Sequence, residues 1–319
     1  MTRRVLLVLL VLAPALAADV IADTEQALAS GDLTKAQSVV RADRAAHGDT
    51  PEALEAASWI ARVEFMSKRY ADADAEAREI QGSCARLLRS RGLDSSASLA
   101  TALGAAIEVR AQSMTATGKR EAALVYLRGA FTAYKTTSVA ERIRKNINLL
   151  SMEGSAAPTL DVAQSLGAKA PSLAQLHGRP ILLFFWAHWC GDCKGDEPTI
   201  AKLAREFAPR GLAVIAPTRL YGYTAQSDSV TPEQELEWTR AVFNRFYSDI
   251  PGVTVPVSAA NFRVWGASTT PTIAVIDRAG VVRLYHPGAM TEQELRPALE
   301  RVIVGENATG ERAPHRAHK

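Results

Sequence analysis

Cys190 and Cys193 stand three residues apart in Phe184-Phe185-Trp186-Ala187-His188-Trp189-Cys190-Gly191-Asp192-Cys193-Lys194-Gly195-Asp196-Glu197-Pro198. Two thiols at this spacing can close a small disulfide ring and open it again, which is the chemistry of thiol-disulfide exchange. The elements around them decide which sulfur reacts first. Residues 181–187 are a continuous apolar, aromatic-rich run, the pattern of a strand buried on both faces of a sheet. From Pro198 onward Ile200, Leu203, Ala204 and Phe207 recur at helical spacing. Cys190 is therefore expected at a helix start, where unpaired backbone N–H groups and the positive end of the helix dipole favour a thiolate. That makes Cys190 the nucleophile and places Cys193 one turn inside.

The run Trp189-Cys190-Gly191-Asp192-Cys193-Lys194, followed by Asp196 and Pro198, resembles the W-C-x-P-C-K/R-x-E/D-x-P signature of the TlpA/ResA-like thioredoxin-fold proteins. The resemblance covers residues 160–304 and implies an extracytoplasmic thiol-disulfide oxidoreductase. One departure stands out, since Asp192 occupies the place where the family usually has proline. The resemblance also assigns Ser268-Thr269-Thr270-Pro271-Thr272: Pro271 is expected to be the cis-proline facing the cysteine pair. Thr270 supplies the backbone that holds an extended substrate segment by strand addition, and Trp189 flanks the same substrate. In the implied mechanism Cys190 attacks a substrate disulfide and Cys193 displaces the product. Asp196 is the candidate proton acceptor for Cys193, with a second reading as a helix-start carboxylate that only complements the dipole. Glu197, one residue further round, is expected to face solvent. His188, two residues before the cysteine, would stabilise a thiolate when protonated; its position varies at the surface in the family, so a surface residue without a role is the favoured reading. Asp192 adds negative charge beside the thiolate and Lys194 acts oppositely; the expected direction is reduction of client disulfides.

Composition limits the remaining classes. The chain has 319 residues, 47% hydrophobic and 22% charged, enough for two ordinary cores. A net charge of +3 without Lys/Arg blocks excludes nucleic acid as the expected partner. Three cysteines do not make a disulfide scaffold, and the close pair lacks the second pair a structural zinc site needs, so the only redox group expected is the Cys190–Cys193 disulfide, with no cofactor and no metal. Thr2, Arg3 and Arg4, an uncharged run at 5–16 and Ala15-Leu16-Ala17 have the form of a secretory signal peptide over 1–17. The run is short for a membrane span, and an uncleaved signal would act as a tether. Export, with the periplasm as the expected compartment, means the pair must transfer disulfides or be kept reduced by a membrane electron donor.

Residues 18–150 read as Ala-rich helices. Gly31-Asp32-Leu33-Thr34-Lys35-Ala36 aligns with Lys68-Arg69-Tyr70-Ala71-Asp72-Ala73 and with Gly118-Lys119-Arg120-Glu121-Ala122-Ala123. The alignment resembles a degenerate tetratricopeptide array, whose period is about 34 residues, with an insertion at 91–98; an irregular helical bundle is the alternative. Such a domain would offer a site for a protein client. Cys84 lies on the stripe Ala73, Ala77, Ile80, Cys84, Leu87, where it reads as a packed apolar residue.

Glycines, prolines and small residues mark 151–170 as a linker leading into an edge strand near 160–163. His177 reads as a surface loop residue. Residues 211–216 suit a buried parallel strand, 219–231 a polar loop, 232–249 a helix, 253–257 a short strand and 261–265 a short helix. A turn at 277–280 joins the last two strands as a hairpin, and 293–304 forms a closing helix. The tail at 305–319 is polar and basic, a pattern of disorder. The expected architecture is an α-helical repeat domain (18–150), a linker with an edge strand (151–170) and an α/β thioredoxin-like domain (171–304) with a mixed sheet flanked by helices. The competing function is a protein-binding helical scaffold whose thioredoxin domain is redox-inert.

Overall fold

The computed structural model describes residues 19–304, so the signal expected at 1–17 and the tail expected at 305–319 lie outside the described residues. By compactness the chain divides into Met1–Ala106 and Ile107–Lys319, a division that falls inside the helix Ala97–Ala116.

The N-terminal half is helical: α1 (Val20–Ala29), α2 (Leu33–His47), α3 (Pro51–Met66), α4 (Tyr70–Leu87), α5 (Ala97–Ala116), α6 (Arg120–Tyr134) and α7 (Ala140–Ser151). Asp19, Asp32 and Thr50 cap the first three, each side chain accepting an otherwise unpaired N–H of the first turn. The three aligned segments are three copies of one turn. Gly31, Lys68 and Gly118 all take left-handed backbone, with φ of +77°, +61° and +80°. Each is followed by an N–H that reaches back to the preceding helix: Asp32 to Ala27, Arg69 to Glu64 and Lys119 to Met114, at 3.0, 2.9 and 2.8 Å. Ala36, Ala73 and Ala123, which follow the turns, are fully buried. Between α4 and α5 the chain makes a short 3-10 turn at Leu93–Ser95.

The C-terminal half is built on a four-stranded sheet in the order β3-β2-β5-β6, where β2 is Ile181–Phe185, β3 Ala213–Ile215, β5 Thr272–Ile276 and β6 Val282–Pro287. β2 runs parallel to β3 and antiparallel to β5, and β5 and β6 form the expected hairpin. Helices α8 (Gly191–Phe207), α9 (Pro232–Phe246), α10 (Ala259–Trp265) and α11 (Glu292–Val304) complete the domain, and β1 (Ser165–Leu166) pairs with β4 (Val255–Pro256) in a separate ladder. All five residues of β2 and all five of β5 are buried, as the apolar runs require. Their side chains alternate between two cores. Leu182, Phe184, Ile273 and Val275 join the core that holds α8 and α11; Ile181, Leu183, Phe185, Ala274 and Ile276 join the one that holds α10.

The edge strand expected at 160–163 is not there. Asn261 takes its place, accepting the Asp161 N–H at 2.7 Å and donating to the Asp161 carbonyl at 2.9 Å, so that backbone needs no strand partner. The edge pairing lies on either side. Gly154 N–H donates to the Val282 carbonyl at 2.8 Å and Val282 N–H to the Ser155 carbonyl at 2.9 Å, so part of the glycine- and serine-rich stretch is bonded to β6.

Gly266 ends α10 in left-handed backbone with φ of +62°, and a Cβ there would lie 2.6 Å from the Lys145 nitrogen and 2.8 Å from the Arg144 carbonyl carbon, both backbone atoms of α7. Gly266→Ala is expected to cost more than about 1 kcal/mol, read as a lower denaturant midpoint with an unchanged slope. Cys84 is fully buried, and burial together with the nearby Asp49 charge pushes its thiol up to about 12. Iodoacetamide at neutral pH should leave Cys84 unmodified in the native protein and label it in denaturant, read by intact mass.

Candidate functional site

β2 ends at Phe185, and the chain crosses Trp186-Ala187-His188-Trp189 before α8 begins. This crossing is tied to the end of β3. Trp186 N–H donates to the Pro217 carbonyl at 3.1 Å, its indole N–H to the Ala216 carbonyl at 3.0 Å, and the Thr218 hydroxyl to the Trp186 carbonyl at 2.9 Å. Cys190 is the N-cap of α8, with its N–H donating to the Ala187 carbonyl at 3.1 Å. It forms a disulfide with Cys193, and the Cys193 N–H points at Cys190 Sγ from 3.0 Å. Cys190 keeps 3% exposure and Cys193 none, so an incoming group meets Cys190 first.

The register of the sheet brings the second motif to the same end. Phe185 pairs with Thr272, so the residues before Thr272 lie beside the residues after Phe185. The Thr270–Pro271 peptide bond is cis, and the Pro271 carbonyl accepts the Gly288 N–H at 2.8 Å. Thr270 lies beyond the last paired residue of β5 and is half-buried. Trp189 is 47% exposed and meets Tyr221 edge to face at 5.5 Å.

Asp196 lies three residues after Cys193, which puts both on one side of α8. Its carboxylate is half-buried and accepts the Met290 N–H at 3.3 Å. Burial raises its pKa above the ordinary carboxylate range; the Met290 hydrogen bond opposes this, and the charges of Asp192 and Glu294 add to it. Glu197 does not face solvent as expected. One of its carboxylate oxygens is buried without a hydrogen-bond partner, and burial, then the charge of Asp249, raises its pKa. The buried Tyr247 feels both carboxylates and meets the Trp186 ring at a tilt, 4.5 Å between centroids, within the core that also contains the two cysteines. Lys194 holds its ammonium 5.1 Å from the centre of the Phe246 ring.

His188 differs most from its sequence reading. It is buried, with Nε2 3.3 Å from Glu235 Oε1 and off the alignment a hydrogen bond needs. Burial pulls its pKa down, the Glu235 carboxylate pulls it up, and Lys194 adds to the fall; the net shift is downward. Glu235, in the first turn of α9, is buried and accepts the N–H groups of Tyr221 and Gly222 at 2.5 and 2.7 Å. No local signal marks Glu235, because acidic residues are ordinary in a helix's first turn. The hint available was the pair Tyr221 and Tyr223 in an otherwise polar loop, and both rings pack edge to face on His188 at 5.7 and 5.5 Å. Arg219 anchors the start of that loop through two bonds to Glu141 at 2.8 and 3.0 Å, and its guanidinium lies over Tyr221.

Among the described residues no group of three or more His, Cys, Asp or Glu side chains is placed to hold a metal ion, and no helix is long and apolar enough to cross a membrane.

Residues 168–303 match the family model described as a thioredoxin-like domain. Similar proteins include the thioredoxin-like protein YneN of Bacillus subtilis, 29% identical over 151 residues, which are 46% of this chain and 79% of that one. The thiol:disulfide interchange protein DsbE of Xylella fastidiosa is 28% identical over 131 residues, 40% of this chain and 57% of its own. The thiol-disulfide oxidoreductase ResA of Halalkalibacterium halodurans is 26% identical over 139 residues, 44% of this chain and 71% of its own. The C-terminal half is a thioredoxin-like domain, joined to a helical N-terminal region.

A carboxyl whose folded pKa lies above its unfolded one holds its proton more tightly in the native state. Its contribution is favourable at low pH and is lost as pH rises from the unfolded value through the folded one. Asp196→Asn should therefore melt higher than the parent protein at pH 7, with the difference closing as pH falls toward the ordinary value of 3.8. Thermal melts of the oxidised protein across that range measure it.

Proposed function

We propose that this chain, with its thioredoxin-like domain over 168–303 and a disulfide at the cap of α8, is an exported thiol-disulfide oxidoreductase acting on protein disulfides. The observation that carries the reading is Cys190 at the N-cap, with the Cys193 N–H aimed at its sulfur and the cis Thr270–Pro271 bond at the same end of the sheet. In the reduced protein the same N–H and the helix dipole stabilise a Cys190 thiolate. The thiolate attacks one sulfur of a client disulfide, forming a mixed disulfide and expelling the client's other sulfur as a thiolate. Cys193 gives its proton to Asp196 and attacks Cys190 Sγ. The mixed disulfide breaks, the second client thiolate leaves, and the Cys190–Cys193 bond forms. Two electrons have passed from the pair to the client.

Asp196 suits the proton step because burial raises its proton affinity on the side of α8 that carries Cys193, whose sulfur must lose one. Trp189 and the backbone of Thr270 flank the client segment, which adds to the strand end next to Pro271. The returning electrons come from a membrane electron donor, as an exported dithiol requires. The basic start and apolar run at 2–16 support export, with the periplasm as compartment and an uncleaved signal as a tether. The three matching turns at Gly31, Lys68 and Gly118 support a tetratricopeptide-like array over 18–150 that receives a protein client, with 151–170 as linker and 171–304 as the catalytic domain.

Cys193→Ser should accumulate a mixed disulfide between Cys190 and its client, visible as a band that collapses on reduction, and Cys190→Ser should accumulate none. Loss of both sulfurs with exchange intact would sink the reading. The direction of flow is checked by the reduction potential, expected to be more reducing than the roughly −120 mV of a dedicated disulfide donor.

A further inference from the structure

Glu235 is a buried carboxylate that the exchange steps do not use. Both of its oxygens are committed to one short piece of chain, the Tyr221 N–H at 2.5 Å and the Gly222 N–H at 2.7 Å, and Oε1 also faces His188 Nε2 at 3.3 Å. A carboxylate so placed is costly unless hydrogen-bonded, and Glu235 touches two segments far apart in sequence. One is the crossing that delivers Cys190, which includes His188; the other is the loop after β3. The capping box of α9, in which Thr231 and Gln234 bond reciprocally, fixes the helix turn that carries Glu235.

What this pin holds is aromatic and next to the nucleophile. Tyr221 and Tyr223 pack on His188, and the exposed Trp189, the residue immediately before Cys190, rests edge to face on Tyr221 at 5.5 Å. Arg219 covers the Tyr221 ring from 4.9 Å and is itself fixed by Glu141. Trp189 and Tyr221 thus form an aromatic wall whose position is set from below by Glu235.

We propose that Glu235, together with His188, is a positioning residue that locks this wall beside Cys190 and thereby sets how a protein client's disulfide segment is received. The inference rests on the oxidoreductase reading and adds a specificity device to it: rigid aromatic surface at the mouth of the site favours an extended peptide over a small thiol. The groups that face the pair are Lys194 from α8, Tyr221 and Tyr223 from the loop, and Arg219 beyond Tyr221.

The test uses Glu235→Gln and Tyr221→Ala in the full chain. Hydrogen exchange reads the pin directly: in Glu235→Gln at least one of the Tyr221 and Gly222 amides should exchange faster, while the β2 and β5 amides keep their protection. Dithiothreitol-driven reduction of insulin reads the consequence: both variants should raise KM about tenfold with a much smaller change in kcat, the pattern of lost client positioning. An unchanged KM in Tyr221→Ala, or equal protection of both amides in Glu235→Gln, overturns the proposal. Should Glu235→Gln fail to fold, as judged by circular dichroism, Tyr221→Ala alone decides it. A parent protein that does not accelerate insulin reduction sinks the oxidoreductase reading and this inference with it; a parent that does, beside variants with unaltered KM, sinks only the inference.

Discussion

The C-terminal half depends on one constraint: a strand buried on both faces must stop, cross a short gap and start a helix at a cysteine. β2 has no polar side, so its path is fixed by two cores at once, and the Trp186 backbone and indole are bonded to the end of β3. Cys190 therefore arrives at the N-cap of α8 with little freedom, and the first-turn N–H of Cys193 points at its sulfur. Fully burying each large side chain of such a strand contributes about 1.5–3 kcal/mol. Slippage by one residue would exchange the contents of the two cores, so the register is fixed, and with it the cis Thr270–Pro271 bond at the end of the sheet from which the chain runs to Cys190.

Several polar groups lie inside this frame, and each is explained by what it faces. Glu235 and His188 are buried together, the carboxylate satisfied by two backbone N–H groups and the imidazole held neutral by burial. Asn148 and Tyr285 both bond the Trp265 carbonyl, at 2.8 Å each, which ties α7 and β6 to the end of α10. Gly266 is glycine at the same place because no Cβ fits against α7. Glu108 is met by Arg142 and Lys145, and these cations hold its pKa down at about 2 although burial opposes them. The desolvation of such buried ions offsets much of their mutual attraction, so the cluster is not by itself a source of net stability.

The helical region follows a simpler rule. A helix ends, one residue takes left-handed backbone, and the next N–H returns to the helix just left. Glycine serves this turn twice; Lys68 serves it once at the cost of its Cβ, of order 1 kcal/mol. The buried alanine that follows each turn is the small residue close helix approach requires. Cys84 belongs to the same packing and has no share in the redox chemistry proposed for the other two cysteines.

Local pattern was enough for much of this protein. The apolar run of β2, the helical spacing after Pro198 and the three matching turns each depend on neighbours within one or two turns of chain, and spacing records such neighbours directly. The cis-proline was legible through the resemblance carried by Thr270-Pro271-Thr272. The surroundings of the sulfurs were not. His188 reads as surface from the sequence, yet the rings of Tyr221 and Tyr223 pack on it and Glu235 meets it from the first turn of α9. Glu197 reads as solvent-facing from its helix position, but one of its oxygens is buried, and Tyr247 and Asp249, just past the end of α9, lie close enough to interact with its charge. An edge strand was expected at 160–163, where the Asn261 side chain takes the backbone bonds instead. Sequence spacing settles which residues share a face of their own element; only the path of the whole chain decides what is laid against that face, and burial, charge pairing and proton affinity follow from the second.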